Sequence, residues 1–122
     1  MLENRNAEHH RERLADALRD EISALLEGEL SDPRIGLCYV TEVVLAPGGK
    51  SARVLVAVDG DDEEAKRTME GLATARQFIR STVRDNLGKK HVPELSFHLD
   101  RSGYMKERID KLLTRVEKRK KK

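Results

Sequence analysis

The chain has 122 residues, of which 38% are apolar and 38% are charged, and it contains one cysteine. This length suits a single domain with a modest core. No apolar run approaches the roughly 18 residues that a membrane-spanning helix needs, and the N-terminus lacks an apolar signal region. The sequence therefore predicts a small cytoplasmic protein. A lone cysteine excludes an internal disulfide, and Cys38 is predicted to be a core residue.

The net charge of +2 conceals an uneven distribution along the chain. Residues 1–75 contain nine Lys and Arg against 16 Asp and Glu, a net of −7, whereas residues 76–122 contain 15 against six, a net of +9. Such polarity favours an anionic partner approached from one side. An even distribution of charge in the folded protein is the alternative.

A first helix is predicted from about Asn6 to Glu29, with Asn6 as its N-cap. Asp32-Pro33 ends this element, because proline has no amide proton and restricts the residue before it. At 100° per residue, the apolar residues of this segment share one arc of roughly 120°. They are Leu14, Leu18, Ile22, Leu25 and Leu26.

A β-hairpin is predicted to follow, with strands over Leu37–Ala46 and Ser51–Val58. Both segments are rich in β-branched residues, and apolar side chains recur at every second position of the later one. Between them, the Pro-Gly-Gly-Lys sequence of residues 47–50 is typical of a tight turn.

The segment from Asp62 to Leu87 has helical composition, and Asp59–Asp62 places negative charge at its start. A straight helix of this length would extend about 39 Å, whereas a chain of this size has a radius of gyration of about 14 Å. We therefore predict a break within Gly71–Gln77. Gly88 is predicted to close the second helical piece.

A third strand is predicted over Glu94–Asp100, followed by a last helix that Ser102 caps and a basic tail. The order α-β-β-α-α-β predicts an α+β fold, with three strands covered by helices on one face. The domains are accordingly residues 1–100, the α+β unit, and residues 101–122, a helical extension with a basic tail.

Three motifs suggest other chemistry but lack the partners that it requires. Gly49-Lys50-Ser51 is not preceded by the glycine of a phosphate-binding loop, and a strand follows it. His9 and His10 point about 100° apart on a helix, which disfavours a shared metal. His98 and Asp100 share a strand face and leave a hydrolase as a minor hypothesis, although no nucleophile accompanies them.

Basic residues at a regular spacing are more informative. Arg76, Arg80 and Arg84 recur every four residues and share one helix stripe, and Lys89, Lys90 and His91 extend the positive charge. This pattern is typical of phosphate-backbone binding, with a solvated charged face as the alternative. Aromatic residues are only 3%, and no G-x-x-G occurs, which favours structured RNA over loose single strands.

The chain resembles the ribosome-binding factor A family from about Ala7 to Leu113. The resemblance lies in SDPRIGLCYVTEVVL, in ARVLVAV, in ARQFIRSTVRDNLGKKHVPELSFHLDRS and in RIDKLL. It implies a KH-like type II domain, in which an Ala-x-Gly break between the two central helices replaces G-x-x-G. Here that sequence is Ala75-Arg76-Gln77, without the glycine.

The resemblance further implies a non-enzymatic factor without a cofactor that matures the small ribosomal subunit. Such proteins bind 16S ribosomal RNA in immature 30S particles and assist late folding and 5′-end processing, notably in the cold. A monomer, an assembly GTPase as partner and no membrane association are expected. A protein–protein adaptor with an acidic docking face is the alternative function.

We predict an RNA-binding set in the later part of the chain, with one residue before it. Arg34 is expected to add to this surface or to pair with Asp32, while Asp32-Pro33-Arg34 orients the first helix. The full set is Arg34, Arg76, Arg80, Arg84, Lys89, Lys90, Arg101 and Arg108.

Overall fold

The computed structural model of the protein describes residues 2–28, 33–88, 91–102 and 113, and the side chains from residue 8 onward. Two helices and a three-stranded sheet follow one another in the order α-β-β-α-β. No helix in these ranges is long and apolar enough to span a membrane. The elements are α1 (Leu2–Gly28), β1 (Cys38–Leu45), β2 (Ser51–Val58), α2 (Asp62–Leu87) and β3 (Glu94–Leu99).

The sheet has the order β1-β2-β3, with β1 antiparallel and β3 parallel to the central strand β2. Both helices contribute to the core on one face of this sheet, which confirms the predicted α+β fold. On β2, Val54 and Val56 are fully buried, whereas Arg53 between Ala52 and Val54 is exposed on the opposite face. The apolar side chains of α1 pack as predicted, with Leu18, Ile22 and Leu25 buried.

Cys38 lies at the start of β1 and is 8% exposed, as predicted for a core residue. Burial raises the pKa of its thiol, because a thiolate would be poorly solvated there. The reactive thiolate form is therefore disfavoured, and Cys38 acts as a small apolar side chain.

The hairpin loop is a type II turn, in agreement with its predicted chemistry. The amide of Gly49 donates to the carbonyl of Ala46 at 2.9 Å, so Pro47 and Gly48 are the two central residues. Gly48 has a φ of 88°, which this turn type requires at its third position. Pro47 supplies the fixed φ of the second position.

A β-bulge in β1 changes which side chains face the core. The register with β2 shifts between Val40 and Glu42, which leaves Thr41 as the extra residue. Val40 and Val43 are consequently both buried although they are three positions apart. Strict alternation would have placed one of them on the exposed face.

The predicted break in the central helix is wrong, because α2 is continuous over 26 residues. A sphere with a radius of gyration of about 14 Å is about 36 Å across, so a 39 Å rod is nearly accommodated. Ala75-Arg76-Gln77 also lacks the glycine that would weaken the helix. The α-β-β-α-α-β order of the KH-like prediction is therefore replaced by α-β-β-α-β.

The predicted negative charge at the start of α2 and the predicted glycine at its end are both present, and the start also has a side-chain cap that was not predicted from the sequence. Asp61 is the N-cap, and its Oδ1 accepts from the amide of Glu64 at 2.8 Å. Gly88 adopts a left-handed conformation with a φ of 63°, and its amide donates to the carbonyls of Arg84 and Asp85. Local side-chain and backbone chemistry thus sets the length of the helix.

The predicted start of α1 is also wrong. The helix begins at Leu2, so Asn6 lies inside it and is not its N-cap. Residues 2–5 include neither proline nor glycine, and the helix propensity of asparagine is lower than that of alanine by well under about 1 kcal/mol. Nothing in this stretch therefore prevents the helix from starting earlier.

The segment after Pro33 packs against the first half of α2. The amide of Gly36 donates to Oγ1 of Thr68 at 3.1 Å, and Thr68 is 1% exposed. One turn later, a Cβ added to Gly71 would lie 2.8 Å from Cγ1 of Ile35 and 3.3 Å from Cβ of Arg34. Gly71 is therefore needed for close packing, not for a helix break.

Gly71→Ala is expected to lower the free energy of unfolding by about 1–3 kcal/mol, because Ile35 and the backbone that carries it must move. At an ordinary helical position the same change would stabilise the protein by up to about 1 kcal/mol. Urea unfolding followed by circular dichroism measures the effect. The control is Gly28→Ala, where an added Cβ meets nothing within 4 Å. Equal stability of the two variants would contradict the proposed packing.

Candidate nucleic-acid interface

Three arginines form a row on the second half of α2, as predicted from their spacing. Arg76, Arg80 and Arg84 are four residues apart, so each lies about 40° around and 6 Å along the helix from the last. Arg76 and Arg84 are exposed and Arg80 is half-buried. Within the described ranges, no carboxylate forms an ion pair with any of the three. We call this set the arginine row.

The guanidinium of Arg80 is held by the segment that leads into β3. Its Nε and Nη2 atoms both donate to the backbone carbonyl of Val92, at 3.0 and 2.8 Å. Val92 is 1% exposed, so its carbonyl needs this protein partner. A guanidinium has five N–H donors, and three of those of Arg80 therefore remain for another acceptor.

A cleft of about 280 Å³ lies between α2 and the start of the β3 segment. Its polar lining combines two members of the arginine row with neutral hydrogen-bonding groups and a histidine. We call it the arginine cleft, and its lining residues are Gln77, Arg80, Ser81, Arg84, His91 and Val92.

Two predicted site residues lie away from the arginine row. Arg34 has its Cβ near Gly71, which is nine residues from Arg80 and therefore about 180° around α2. Arg101 is exposed beyond the far end of β3, a strand of six residues that extends about 20 Å. Neither residue shares the surface of Arg80 and Arg84. Lys89, Lys90 and Arg108 lie outside the described residues.

Sequence reasoning missed part of the cleft. Gln77 and Ser81 are four residues apart and therefore share a helix face, but that spacing alone is common on solvated helices. His91 was recognised only as a continuation of positive charge. The bond from Arg80 to the Val92 carbonyl had no sequence signal, because it joins a side chain to a backbone atom 12 residues away.

The helix dipole explains only part of the charge arrangement on α2. Asp62, Glu63 and Glu64 occupy the first turn and Arg84 the last, which is the stabilising polarity. Arg76 lies mid-helix, where the dipole has little effect. Unneutralised like charges four residues apart also destabilise a helix by about 0.2–0.5 kcal/mol per pair. The arginine row is therefore not explained by the stability of the helix.

The other motifs are engaged in local contacts. His98 is paired with Oγ of Ser96 at 3.0 Å, and no contact with Asp100 is found among the described residues. Gly49-Lys50-Ser51 lies in the hairpin and leads into β2, not into a helix. His9 lies 3.9 Å from a carboxylate oxygen of Glu12, and no three potential metal ligands cluster within the described part of the chain.

Asp100 links the bulge of β1 to the chain that leaves β3. Its Oδ1 accepts from the amide and hydroxyl of Ser102, at 3.0 and 2.6 Å, and its Oδ2 accepts from the hydroxyl of Thr41 at 2.6 Å. The bonds from Ser102 and from Thr41 hold the pKa of this carboxyl below its usual range, because they favour the charged form. The bulged residue Thr41 thus supplies a hydroxyl that holds Asp100, the residue at which the chain leaves β3.

Asp100→Asn is expected to destabilise the protein at neutral pH, with a difference from the wild type that shrinks in acid. A carboxyl whose pKa is lowered by folding stabilises the folded state at pH values above its pKa in the unfolded chain, which is about 3.9. This contribution is lost as the pH falls through the lower pKa of the folded state. Urea unfolding at several pH values between 7 and 2 measures the difference.

The matched control for this pH series is Asp16→Asn, which removes an exposed carboxylate of α1. No hydrogen bond to Asp16 is found in the described residues. A smaller and flatter difference is expected for the control. If both variants showed the same pH profile, the hydrogen bonds of Asp100 would not contribute to the free energy of unfolding beyond what an exposed carboxylate contributes.

The fold and the surface together define a class: a small α+β domain with a cationic row on one helix that no carboxylate among the described residues neutralises. Residues 10–113 match the model of the family described as Ribosome-binding factor A. The chain therefore belongs to the ribosome-binding factor A family.

Relatives are similar over most of the chain. Ribosome-binding factor A of Koribacter versatilis (strain Ellin345) is 55% identical over 120 residues, which cover 98% of each protein. The relative from Thermomicrobium roseum is 42% identical over 105 residues, which cover 86% of this chain and 81% of that protein. The resemblance stated from the motifs is thereby confirmed.

Solved structures show the same fold. The crystal structure of ribosome-binding factor A from Thermus thermophilus has a TM-score of 0.65 at 21% identity, over 75% of this chain and 98% of that chain. A homology model of the Thermus thermophilus factor, fitted into a cryo-EM map of a 30S complex, has a TM-score of 0.56 at 28% identity, over 77% of this chain and 94% of that chain.

Proposed function

We propose that this protein binds the 30S ribosomal subunit and acts as a non-catalytic maturation factor that contacts 16S ribosomal RNA. The main structural support for this proposal is the arginine row, which no carboxylate in the described residues neutralises. Family membership supports the choice of partner, since a Thermus thermophilus relative has been fitted into a map of a 30S complex. The protein would work in the cytoplasm as a monomer.

Binding would proceed through the phosphate backbone. The arginine row extends about 12 Å from Arg76 to Arg84, so it presents a line of charge and not a single point. Arginine suits this contact because its planar donors match phosphate oxygens and it is always charged. Each neutralised phosphate releases counterions, which gives binding a steep salt dependence.

The maturation role would follow from selective binding and needs no chemical step. A factor that binds one arrangement of 16S RNA more tightly than its competitors increases the population of that arrangement. Late folding and 5′-end processing would then proceed from the favoured state, with the largest benefit in the cold. An assembly GTPase would assist release.

Arg76→Glu/Arg84→Glu is expected to weaken binding to immature small subunits by about tenfold or more, because two charge-assisted interactions become repulsive. Both residues are exposed, and the loss of Arg84 from the last turn is offset by replacing two Arg–Arg repulsions with Glu–Arg attractions to Arg80, so the melting temperature should change little. Co-sedimentation at two salt concentrations measures binding. The slope of log K against log salt is expected to fall by about one for each phosphate that the variant no longer neutralises.

The matched control is Arg19→Glu/Arg67→Glu, which makes the same change in net charge at exposed positions outside the row. Arg67 lies nine residues before Arg76 and therefore about 180° around α2. Near wild-type binding is expected. Equal losses for the two double variants would show that net charge alone governs binding and would refute a localised interface.

A further inference from the structure

The arginine cleft has features that a general cationic row does not require. One arginine is held in place by a backbone carbonyl, and neutral hydrogen-bonding groups lie beside it. We propose that this cleft binds one phosphate group of RNA together with its attached ribose. This inference rests on the proposed function for the identity of the RNA, but the cleft can be tested without the ribosome.

Arg80 provides the oriented donors of the site. Its two bonds to the Val92 carbonyl fix the plane of the guanidinium, so less side-chain freedom is lost when an anion binds. Arg84 lines the cleft from one turn further along α2, and His91 lines it from the segment before β3. An anion in the cleft is therefore bound from two separate segments of the chain.

The charge of the lining favours an anion and not a cation. None of the described residues that line the cleft carries a carboxylate, and no ion pair in the described chain occupies Arg80 or Arg84. Planar arginine donors match the oxygens of a phosphate in a bidentate arrangement. A phosphate would also relieve the repulsion between two arginines four residues apart.

The size of the cleft limits what it can hold. A volume of about 280 Å³ is at the small end of the roughly 300–1,000 Å³ that is typical of pockets for small-molecule ligands. The cleft is thus suited to part of a larger ligand. A phosphate with its attached sugar is the repeating unit of a nucleic acid backbone.

Gln77 and Ser81 distinguish this site from a simple anion site. Both line the cleft and both can donate and accept hydrogen bonds. A ribose 2′-hydroxyl is also both a donor and an acceptor, and it is the group by which proteins distinguish RNA from DNA. We therefore expect ribose 5-phosphate to bind more tightly than inorganic phosphate or deoxyribose 5-phosphate.

The test is an NMR titration of the full ¹⁵N-labelled chain with inorganic phosphate, ribose 5-phosphate and deoxyribose 5-phosphate. Saturable shifts are expected for Ser81, His91 and the Nε–H of Arg80. Ser81→Asp should weaken ribose 5-phosphate binding about tenfold, because it puts a negative charge into the cleft. Ser81 is exposed, so the fold should be retained.

The matched control is Thr74→Asp, which makes the same charge change on the same face of α2 about 10 Å away along the axis. Thr74 is exposed and does not line the cleft. Its variant should bind ribose 5-phosphate like the wild type. Equal weakening in both variants would overturn the site in favour of diffuse attraction. Arg80→Lys, which keeps the charge, should also bind about fivefold or more weakly.

Two further outcomes separate this inference from its competitors. Tighter binding of a hexaglutamate peptide than of ribose 5-phosphate, with the same loss in Ser81→Asp, would assign the cleft to an acidic protein and overturn the proposal. Absence of shifts in the cleft while the chain still co-sediments with 30S particles would refute the cleft alone. Shifts in the cleft without co-sedimentation would instead refute the proposed function.

Discussion

The parallel pairing of β2 with β3 is the constraint on which the rest of the molecule depends. Parallel neighbours cannot be joined by a tight turn, so the chain must cross back over the sheet between them. Here α2 makes that crossing and buries one side along its whole length. The crossing brings the end of α2 to the entry of β3, where Arg80 meets the carbonyl of Val92. The candidate interface is therefore a result of topology.

The charged residues of α2 fall into two groups. Its acidic first turn and Arg84 in its last turn complement the helix dipole and stabilise the helix. Arg76 and Arg80 exceed what the dipole requires and add repulsion along one face. Part of the uneven charge along the sequence thus stabilises α2, and the remaining positive charge of Arg76 and Arg80 is a surplus that the helix does not need. The surplus is the part that an anionic partner would neutralise.

Most secondary structure could be predicted because its signals are local. The Asp61 cap, the Pro47-Gly48 turn and the left-handed Gly88 each follow from the chemistry of a few neighbouring residues. The arginine row was equally accessible, since it needs only the helical period. Gly71 was misread because a glycine in a helix indicates either weakness or close packing, and only the position of Ile35 distinguishes the two.

The remaining features depend on contacts between distant parts of the chain. The bulge at Thr41 appears only when β1 is aligned with β2, because no residue in CYVTEVVL demands it. The cleft requires α2 and the β3 segment to be adjacent in space, and its key bond ends on a backbone atom. A backbone acceptor is present at every residue, so sequence cannot single out Val92.

The irregularity at Thr41 also has a consequence for solubility. β1 is a border strand, with β2 on one side and no strand on the other in the described sheet. A flat border of this kind offers unsatisfied amides and carbonyls on which a second copy could dock and propagate into fibres. The extra residue bends the strand and interrupts the even repeat of those groups. The feature that supplies a hydroxyl to Asp100 thereby also makes the β1 edge of the sheet a poorer template for strand pairing with a second copy.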